Sequence, residues 1–328
     1  MSKRYLVTGT AGFIASQVSR ELLDHGHQVV GVDNLNDYYD VRLKDWRLAQ
    51  LKQHEKSENF RFYRLDIEQQ EPLKSLFEEK GPFDAVFNLA ARAGVRYSME
   101  NPHVYLSTNA EGTLNLLECM RSLGCQKLVL ASTSSLYAGQ SMPFNENLAV
   151  NEPLSPYAAS KKAAELMAYS YHKLYGVDVS VLRYFTVFGP AGRPDMSPYR
   201  FIKWIAEGKT VQIFGDGSQS RDFTYVDDIV RGSVAAIQNV GYEIINLGGG
   251  RNPVTLNAII ERLESLLGKK AKIDNKPFHI ADIKETWADI DKAKNLLGWE
   301  PRVSLDEGLE KSVRWYVDNR EWLKDIEV

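Results

Sequence analysis

The sequence has little cysteine: only Cys119 and Cys125 occur among 328 residues. Two cysteines are too few for a disulfide framework or a cysteine-based zinc site. The six histidines show no metal-ligand spacing, so we expect no metal ion. The near absence of cysteine pairs also predicts a reducing compartment, the cytoplasm.

Concentrated positive charge and long apolar runs are also missing. Forty Lys and Arg residues stand against 43 Asp and Glu residues, a net charge of -3, which argues against a nucleic-acid partner. No uninterrupted apolar run approaches 18 residues, and the first eight residues lead into a strand-like segment rather than a signal-peptide core. We therefore expect no membrane partner and a globular protein, in line with 44% hydrophobic and 25% charged residues.

The first half of the chain alternates β-rich runs with helical patterns, which is typical of crossover units in a parallel sheet. Several of the runs are apolar on both faces, as strands covered by helices on each side must be. The pattern predicts an α/β fold with a doubly wound, Rossmann-like parallel sheet. The predicted strands are 5–8, 28–33, 60–63, 85–89, 127–131 and 177–182, with a further helix–strand pair at 227–239 and 243–247.

The pattern loosens after about residue 183. A Pro- and Gly-rich stretch, 189–198, indicates a long loop of the kind that often has a function. We expect a dinucleotide-binding domain at 1–182 plus about 225–250. A smaller, mostly helical substrate domain would comprise about 183–224 plus 251–328.

A short glycine motif marks the predicted junction between the first strand and the first helix. Gly9 and Gly12 allow the backbone to turn tightly and to approach a pyrophosphate, and the small Ala15 allows close helix–strand packing. The next strand ends in Asp33, placed to accept hydrogen bonds from an adenosine ribose. A carboxylate there would repel a 2′-phosphate, so we predict NAD rather than NADP.

Tyr157 and Lys161 lie one turn apart on a helix that begins after Ser155 and Pro156. A neighbouring ammonium lowers the pKa of a phenol, as a base that deprotonates a hydroxyl requires. The spacing alone has little weight, because Tyr169 and Lys173 share it. The position of Tyr157 is informative, since it follows the hydroxyl run 132–135 at the end of a predicted strand. Serine and threonine are also common in ordinary turns, which is the alternative explanation of that run.

These motifs resemble the extended short-chain dehydrogenase/reductases over nearly the whole chain. Four longer segments are similar to the UDP-glucuronate 4-epimerases, namely 33–44, 93–98, 192–196 and 221–228. The resemblance implies that Tyr157 is the catalytic base, Lys161 its partner on the nicotinamide ribose, and Thr133 a hydroxyl near the 4-OH of the sugar. The implied contacts to NAD are Gly9, Gly12, Phe13, Ile14, Asp33, Asn34, Asp66, Ile67, Leu89, Ala90, Ala91, Asn109, Tyr157, Lys161 and Phe185.

The substrate implied by the resemblance is a UDP-sugar. Gln212 and Phe214 match a uracil-binding strand, Arg221 a diphosphate clamp, and Asp282 a contact to the uridine ribose. Arg193 suits a sugar carboxylate, with anchoring of its loop through a salt bridge as the alternative. The implied substrate residues are Arg96, Thr133, Ser134, Ser135, Thr186, Arg193, Gln212, Phe214, Arg221 and Asp282.

The resemblance implies an NAD-dependent isomerase that interconverts UDP-glucuronate and UDP-galacturonate through a transient 4-keto sugar. A UDP-glucose/UDP-galactose 4-epimerase, a UDP-glucuronate decarboxylase and a non-catalytic NAD-binding regulator remain open alternatives. A 4,6-dehydratase is disfavoured, because Ser134 and Ser135 stand where dehydratases have an Asp-Glu pair. Family members commonly form homodimers through helices that match 103–123 and 157–175.

Overall fold

The computed structural model describes residues 2–250, 253–278 and 283–327. Within these ranges, short strands alternate with helices along the first half of the chain. The strands are β1 (Arg4–Thr8), β2 (Gln28–Asp33), β3 (Phe60–Arg64), β4 (Ala85–Asn88), β5 (Lys127–Thr133), β6 (Asp178–Tyr184), β7 (Thr186–Phe188), β8 (Thr210–Phe214), β9 (Ser220–Arg221), β10 (Phe223–Tyr225), β11 (Tyr242–Leu247), β12 (Val254–Thr255) and β13 (Lys272–Lys276).

The helices of the described ranges connect these strands. The segment 103–123 is one helix interrupted by a π-helical stretch, Leu106–Glu111. The helices are α1 (Phe13–Asp24), α2 (Val41–Lys52), α3 (Gln70–Lys80), α4 (Val95–Glu100), α5 (His103–Tyr105), α6 (Gly112–Leu123), α7 (Pro156–Tyr175), α8 (Ser197–Ala206), α9 (Val226–Ala235), α10 (Leu256–Leu267), α11 (Asp291–Leu297), α12 (Leu305–Asp318) and α13 (Arg320–Leu323).

Seven strands form the central sheet in the order β11-β6-β5-β4-β1-β2-β3. Every neighbouring pair is parallel, and helices cover both faces, so strands such as β4 and β5 are buried throughout. The predicted fold class is confirmed. The strand order reverses direction at β1, and the carboxyl ends of β1 and β4 therefore border a crevice, where ligands bind in sheets of this type.

The boundary of β6 shows what the sequence pattern missed. The predicted strand ends at 182, whereas β6 continues through Arg183 and Tyr184. These two residues pair with Asn246 and Leu247 of β11, a partner that is distant in sequence. The extension carries the chain to the edge of the crevice.

Helix α7 carries the predicted tyrosine–lysine pair and has the predicted ends. The Ser155 side chain accepts a hydrogen bond from the Ala158 amide, and Pro156 occupies the first turn. Gly176 ends the helix with φ +71°, a conformation that glycine adopts without strain. The start of α7 is therefore fixed beside the end of β5.

The C-terminal half contains more β-structure than the mostly helical prediction. Two parallel pairs, β8 with β13 and β7 with β10, lie among helices α8, α10 and α12. Val211 and Ile213 are buried while Gln212 between them is exposed, a period of two over a short strand. No helix of the described ranges is long and apolar enough to cross a membrane.

Candidate active site

A cleft of about 360 Å³ lies at the carboxyl ends of the central strands. It runs from the turn after β1, past β4 and β5, to the loop that follows β7. The residues at one end suit a dinucleotide, and those at the other end are hydroxyl-bearing or basic. One elongated cleft therefore brings the two predicted halves of the site together.

The turn between β1 and α1 is built for close approach of a ligand. Gly9 has φ +70°, and a Cβ there would lie 2.8 Å from the Ala90 backbone. The Gly12 amide donates to the Gly9 carbonyl at 2.7 Å. In the described structure no side chain caps the start of α1 at Gly12, which leaves amides available for a diphosphate.

Thr8 connects the two strands that border the crevice. Its hydroxyl accepts hydrogen bonds from the amides of Leu89 and Ala90 at 3.1 and 3.0 Å. The same hydroxyl donates to the Asn88 side chain at 2.9 Å. The segment after β4 is thereby fixed against the glycine turn.

Asp33 ends β2 inside the cleft and is only 8% exposed. One carboxylate oxygen accepts from the Ala11 amide at 3.1 Å, and the other accepts from the Leu35 amide at 2.8 Å. Each oxygen has a second lone pair that remains suited to a ribose hydroxyl. The carboxylate is thus held rigidly next to the glycine turn.

Tyr157, Lys161 and Thr133 meet where β5 ends and α7 begins. The Lys161 ammonium donates to the Ala131 carbonyl at 2.9 Å. Thr133 Oγ1 accepts from the Ser135 amide at 3.1 Å, so its own proton is free for the hydrogen bond to the Tyr157 phenol. The sequence-predicted constellation is assembled in one place.

The pKa of Tyr157 corrects one expectation from the sequence. Burial raises this pKa above its ordinary value, against the lowering effects of the Thr133 hydrogen bond and the Arg193 charge. The prediction that Lys161 lowers the phenol pKa is therefore wrong for this arrangement, since burial dominates and the acting charge is that of Arg193. Burial also lowers the pKa of Lys161 to about 8.

Arg193 lies at the sugar end of the cleft and is anchored at the same time. Its guanidinium pairs with the Asp195 carboxylate, with Nε 3.0 Å from Oδ1. The group also donates to the Ala93 carbonyl at 3.5 Å and lies 5.9 Å from the centre of the Tyr38 ring. The anchoring salt bridge considered from the sequence is therefore present, and the Arg193 side chain also lines the cleft.

The cleft brings together most of the predicted site residues. Those of the dinucleotide end and those of the sugar end line one continuous wall. These residues are Gly9, Gly12, Phe13, Ile14, Asp33, Asn34, Asp66, Ile67, Leu89, Ala90, Ala91, Thr133, Ser134, Ser135, Tyr157, Lys161, Phe185, Thr186 and Arg193.

Asn109 stands behind this wall rather than in it. Its side chain donates to the Arg92 carbonyl and to the Ser160 hydroxyl, both at 2.9 Å, and accepts from the Arg92 amide at 2.9 Å. These bonds join the segment after β4 to helix α7. Asn109 therefore supports the wall of the cleft from the protein side.

Four of the residues predicted to bind the substrate do not line the cleft, namely Arg96, Gln212, Phe214 and Arg221. Arg96 stacks on the Phe214 ring, with its guanidinium carbon 3.6 Å from the ring centre. Gln212 is exposed on β8, and Arg221 donates to the carbonyls of Ser220 and Lys284 at 2.8 and 3.1 Å. Asp282 lies outside the described residues.

Several cleft residues were not identified from the sequence. The cleft is also lined by Asn36, Tyr38, Lys44 and Arg92. Lys44 donates to the Asn36 carbonyl at 2.6 Å, and burial lowers its pKa to about 8. A signal was present for Asn36, Tyr38 and Lys44, because they belong to the long motif 33–44, in which only Asp33 and Asn34 were given a role.

A buried ion pair supports the catalytic strand end. Glu165, four residues after Lys161, accepts from Arg183 at 2.9 and 2.8 Å and from the Ser132 hydroxyl at 2.7 Å. Both members of the pair are almost fully buried. Removing either would leave an uncompensated buried charge, so the pair holds β5, β6 and α7 in fixed relation.

The fold and the site define a class of protein. A doubly wound sheet with a dinucleotide cleft that ends at a Tyr–Lys–Thr constellation suits an enzyme that moves a hydride and a proton at a secondary alcohol. The sequence profile of the NAD dependent epimerase/dehydratase family matches residues 5–248. The chain belongs to this family, and its predicted resemblance is confirmed.

Similar proteins narrow the comparison within the family. A UDP-glucuronate 4-epimerase of Thermodesulfobacterium geofontis is 62% identical over 324 residues, 99% of each chain. The crystal structure of a UDP-glucuronic acid 4-epimerase from Bacillus cereus with UDP-glucuronic acid and NAD has a TM-score of 0.90 at 39% identity, covering 96% of this chain and 99% of that one. A UDP-glucose 4-epimerase from Thermotoga maritima has a TM-score of 0.85 at 34% identity, covering 97% and 99%.

Proposed function

We propose that this protein is a UDP-glucuronate 4-epimerase, an NAD-dependent isomerase that interconverts UDP-glucuronate and UDP-galacturonate. The proposal rests on the arrangement of side chains at the sugar end of the cleft. There the Tyr157 phenol, hydrogen-bonded to Thr133, faces Arg193 and a group of serine and threonine hydroxyls. The 62% identity to an enzyme of that name over the whole chain supports the same assignment.

The residues of the dinucleotide end fit NAD. The glycine turn, the uncapped start of α1 and the Asp33 carboxylate present amides to a diphosphate and an acceptor to a ribose. When bound, NAD supplies a reversible hydride acceptor for C4 of the sugar. Lys161 lies one turn from Tyr157 on α7, within the same wall, where it suits the nicotinamide ribose.

Tyr157 is the residue that moves the proton. Its phenolate oxygen would take the proton of the sugar 4-OH, and the Thr133 hydroxyl would position that group. Burial raises the phenol pKa, so the Thr133 hydrogen bond and the positive charge of Arg193 are needed to favour phenolate. After the 4-keto sugar has rotated to present its opposite face, the same phenol returns the proton to the oxygen on C4.

The sugar end suits a carboxylate. Thr133, Ser134 and Ser135 end the catalytic strand, and Thr186 begins β7 opposite them. Neutral donors on two rigid strand ends would hold a C5 carboxylate in one orientation, and Arg193 would add charge. A hexose CH₂OH group would not require this set.

The uridine end of the substrate requires aromatic and basic contacts. We propose that Phe214 and Gln212 of β8 contact the uracil, that Arg221 and Arg96 contact the diphosphate, and that Asp282 contacts the ribose. The stacking of Arg96 on Phe214 places one basic and one aromatic group of this set side by side. Their charge and aromatic surface suit an anionic nucleotide.

The experiment that tests this function is an NMR analysis of the products from UDP-glucuronate, UDP-galacturonate and UDP-glucose. We expect each uronate to give the other, with UDP-glucose converted at trace rates. Main conversion of UDP-glucose to UDP-galactose would instead assign a hexose epimerase. Release of CO₂ as the main outcome would assign a decarboxylase, and no turnover with bound NAD would assign a regulator.

Cofactor retention tests the role of Asp33. Asp33→Ala should lower the amount of NAD that co-purifies by about tenfold, because the variant loses charged hydrogen bonds to the ribose and to the Ala11 amide. Acid release followed by absorbance measures the bound cofactor per chain. Asp37→Ala, an exposed acid of the same segment, should retain wild-type levels. Finding NADP in the wild-type protein would overturn the assignment.

The charge of Arg193 is expected to matter more for a uronate than for a hexose. Arg193→Ala should lower turnover of UDP-glucuronate by about tenfold or more, the magnitude typical of one charged hydrogen bond. Any trace turnover of UDP-glucose should fall less. The measurement is kcat/KM on both substrates, and equal losses on the two would leave only the anchoring role through Asp195.

We further propose that two chains form a homodimer through the surfaces of 103–123 and 157–175. Exposed apolar side chains on these helices support the idea, among them Leu106 at 58% and Leu174 at 70% exposure. Sedimentation at micromolar concentration should give twice the 37.2-kDa mass of one chain. A mass of one chain would contradict the proposal. A cytoplasmic location remains a prediction.

A further inference from the structure

A buried arginine outside the predicted site connects the two halves of the cleft. Arg47 of α2 is 1% exposed, although arginine is rarely buried without a compensating partner. It follows the motif 33–44 by three residues, and the family comparison gives it no role. Its burial therefore requires an explanation from its contacts.

All five N–H groups of the Arg47 guanidinium are used. Nε and Nη2 donate to the Ala191 carbonyl at 3.1 and 2.8 Å, and Nη2 also donates to the Gly192 carbonyl at 3.1 Å. Nη1 donates to the Ala11 carbonyl at 3.1 Å and to the Tyr39 hydroxyl at 2.7 Å. Every one of these acceptors is neutral, and no other side chain has this number of donors in one plane.

The two backbone segments that Arg47 binds are functionally different. Ala11 lies within the glycine turn, which is fixed by the Gly12–Gly9 hydrogen bond and by the bond from the Ala11 amide to Asp33. Ala191 and Gly192 directly precede Arg193, 144 residues further along the chain. Arg47 thus anchors the loop that carries Arg193 to the glycine turn of the cofactor site.

The conformation of that loop needs such an anchor. Ala191 has φ +52°, a left-handed conformation that is unfavourable for a residue with a Cβ. Two guanidinium hydrogen bonds to the Ala191 carbonyl stabilise this conformation against relaxation. The direction in which the chain leaves Ala191 and Gly192 sets the position of the Arg193 guanidinium.

We propose that Arg47 is a positioning residue that holds the 191–192 backbone on the glycine turn, so that Arg193 is presented to the sugar carboxylate. The inference rests on the proposed function at Arg193, but the contacts of Arg47 do not depend on it. Arg47 acts through Arg193 and touches neither the sugar nor the reacting atoms.

A double-mutant cycle separates this role from a purely structural one. Arg47→Lys retains the charge but has three donors on a single nitrogen, so it cannot satisfy both segments. We expect kcat/KM for UDP-glucuronate to fall about tenfold, mainly through KM, when Arg193 is present. In the Arg193→Ala background the same substitution should cost at most about twofold. Equal losses in both backgrounds would overturn the proposal.

Hydrogen exchange provides a readout that needs no substrate. In NAD-loaded protein, amides of 189–196 should exchange about tenfold faster in Arg47→Lys than in wild type. Arg42→Lys is the matched control, since Arg42 is an exposed arginine of α2 that pairs with Asp40, and it should change neither readout. Unchanged exchange in 189–196 would also overturn the proposal.

The two measurements distinguish failure of this proposal from failure of the function. If wild-type protein does not convert UDP-glucuronate, the proposed function fails while the exchange experiment still decides the role of Arg47. Should Arg47→Lys not fold, Tyr39→Phe removes one of the acceptors and takes its place in the cycle. The expected loss is then about two- to threefold with Arg193 present and none without it.

Discussion

Tyr157→Phe should fold, retain NAD and lose turnover of UDP-glucuronate by about 10²–10⁴-fold. The substitution removes only the hydroxyl that is bonded to Thr133, at the point where the sugar 4-OH is expected. The ring keeps its edge contact with Tyr105 and its place at the start of α7. The loss should therefore appear in kcat, with bound NAD and melting temperature close to wild type.

Tyr169→Phe is the matched control, because it has the same spacing to a lysine on the same helix. Tyr169 is 44% exposed and packs edge-on against Tyr242, with Lys173 over its ring. Its hydroxyl is remote from the cleft, so turnover should change by less than about twofold. Comparable losses in the two variants would show that position in the fold does not distinguish them.

Ser135→Glu should divert the enzyme from epimerisation towards loss of CO₂. Oxidation at C4 converts a uronate into a β-keto acid, which decarboxylates readily when the carboxylate stands perpendicular to the carbonyl plane. Ser135 lines the sugar end of the cleft. A glutamate there would repel the substrate carboxylate by roughly 4 kcal/mol at 4 Å near a protein surface. Epimerisation should fall at least about tenfold, while CO₂ rises from traces to a major product.

Ser135→Gln separates charge from size in this prediction. The amide has the same shape as the carboxylate but can donate hydrogen bonds to the substrate. It should slow epimerisation through crowding without raising the fraction of CO₂, as measured by NMR of the UDP-pentose products. An equal rise of CO₂ in both variants would attribute decarboxylation to steric disturbance rather than to charge.

The parts of the site that the sequence predicted are those coded by local geometry. Gly9 and Gly12 are required by a turn of four residues, Asp33 ends its own strand, and Tyr157 follows its own cap at Ser155. Each of these requirements depends on residues that are only a few positions apart in the sequence. The fold class followed for the same reason, since apolar runs and caps are local patterns.

The parts that were missed depend on contacts between distant segments. Arg47 binds a loop that lies 144 residues further along the chain. Strand β13 pairs with β8, whose paired residues lie 62 positions earlier in the sequence. The pKa of Tyr157 is set by burial and by Arg193 rather than by the lysine one turn along its helix. A single sequence gives the residue types for such contacts but not their pairing in space.

The most direct test of the account is the fate of the hydrogen on C4. UDP-glucuronate labelled with deuterium at C4 should be converted, in ordinary water and without added NAD, into UDP-galacturonate that retains the deuterium at C4. Retention follows because the Tyr157 phenol exchanges only the hydroxyl proton, while the carbon-bound hydrogen would be held by bound NAD and returned to the opposite face of C4. Replacement of the label by solvent hydrogen, or incorporation of solvent hydrogen at C5, would contradict transient oxidation at C4 as the reaction of this site.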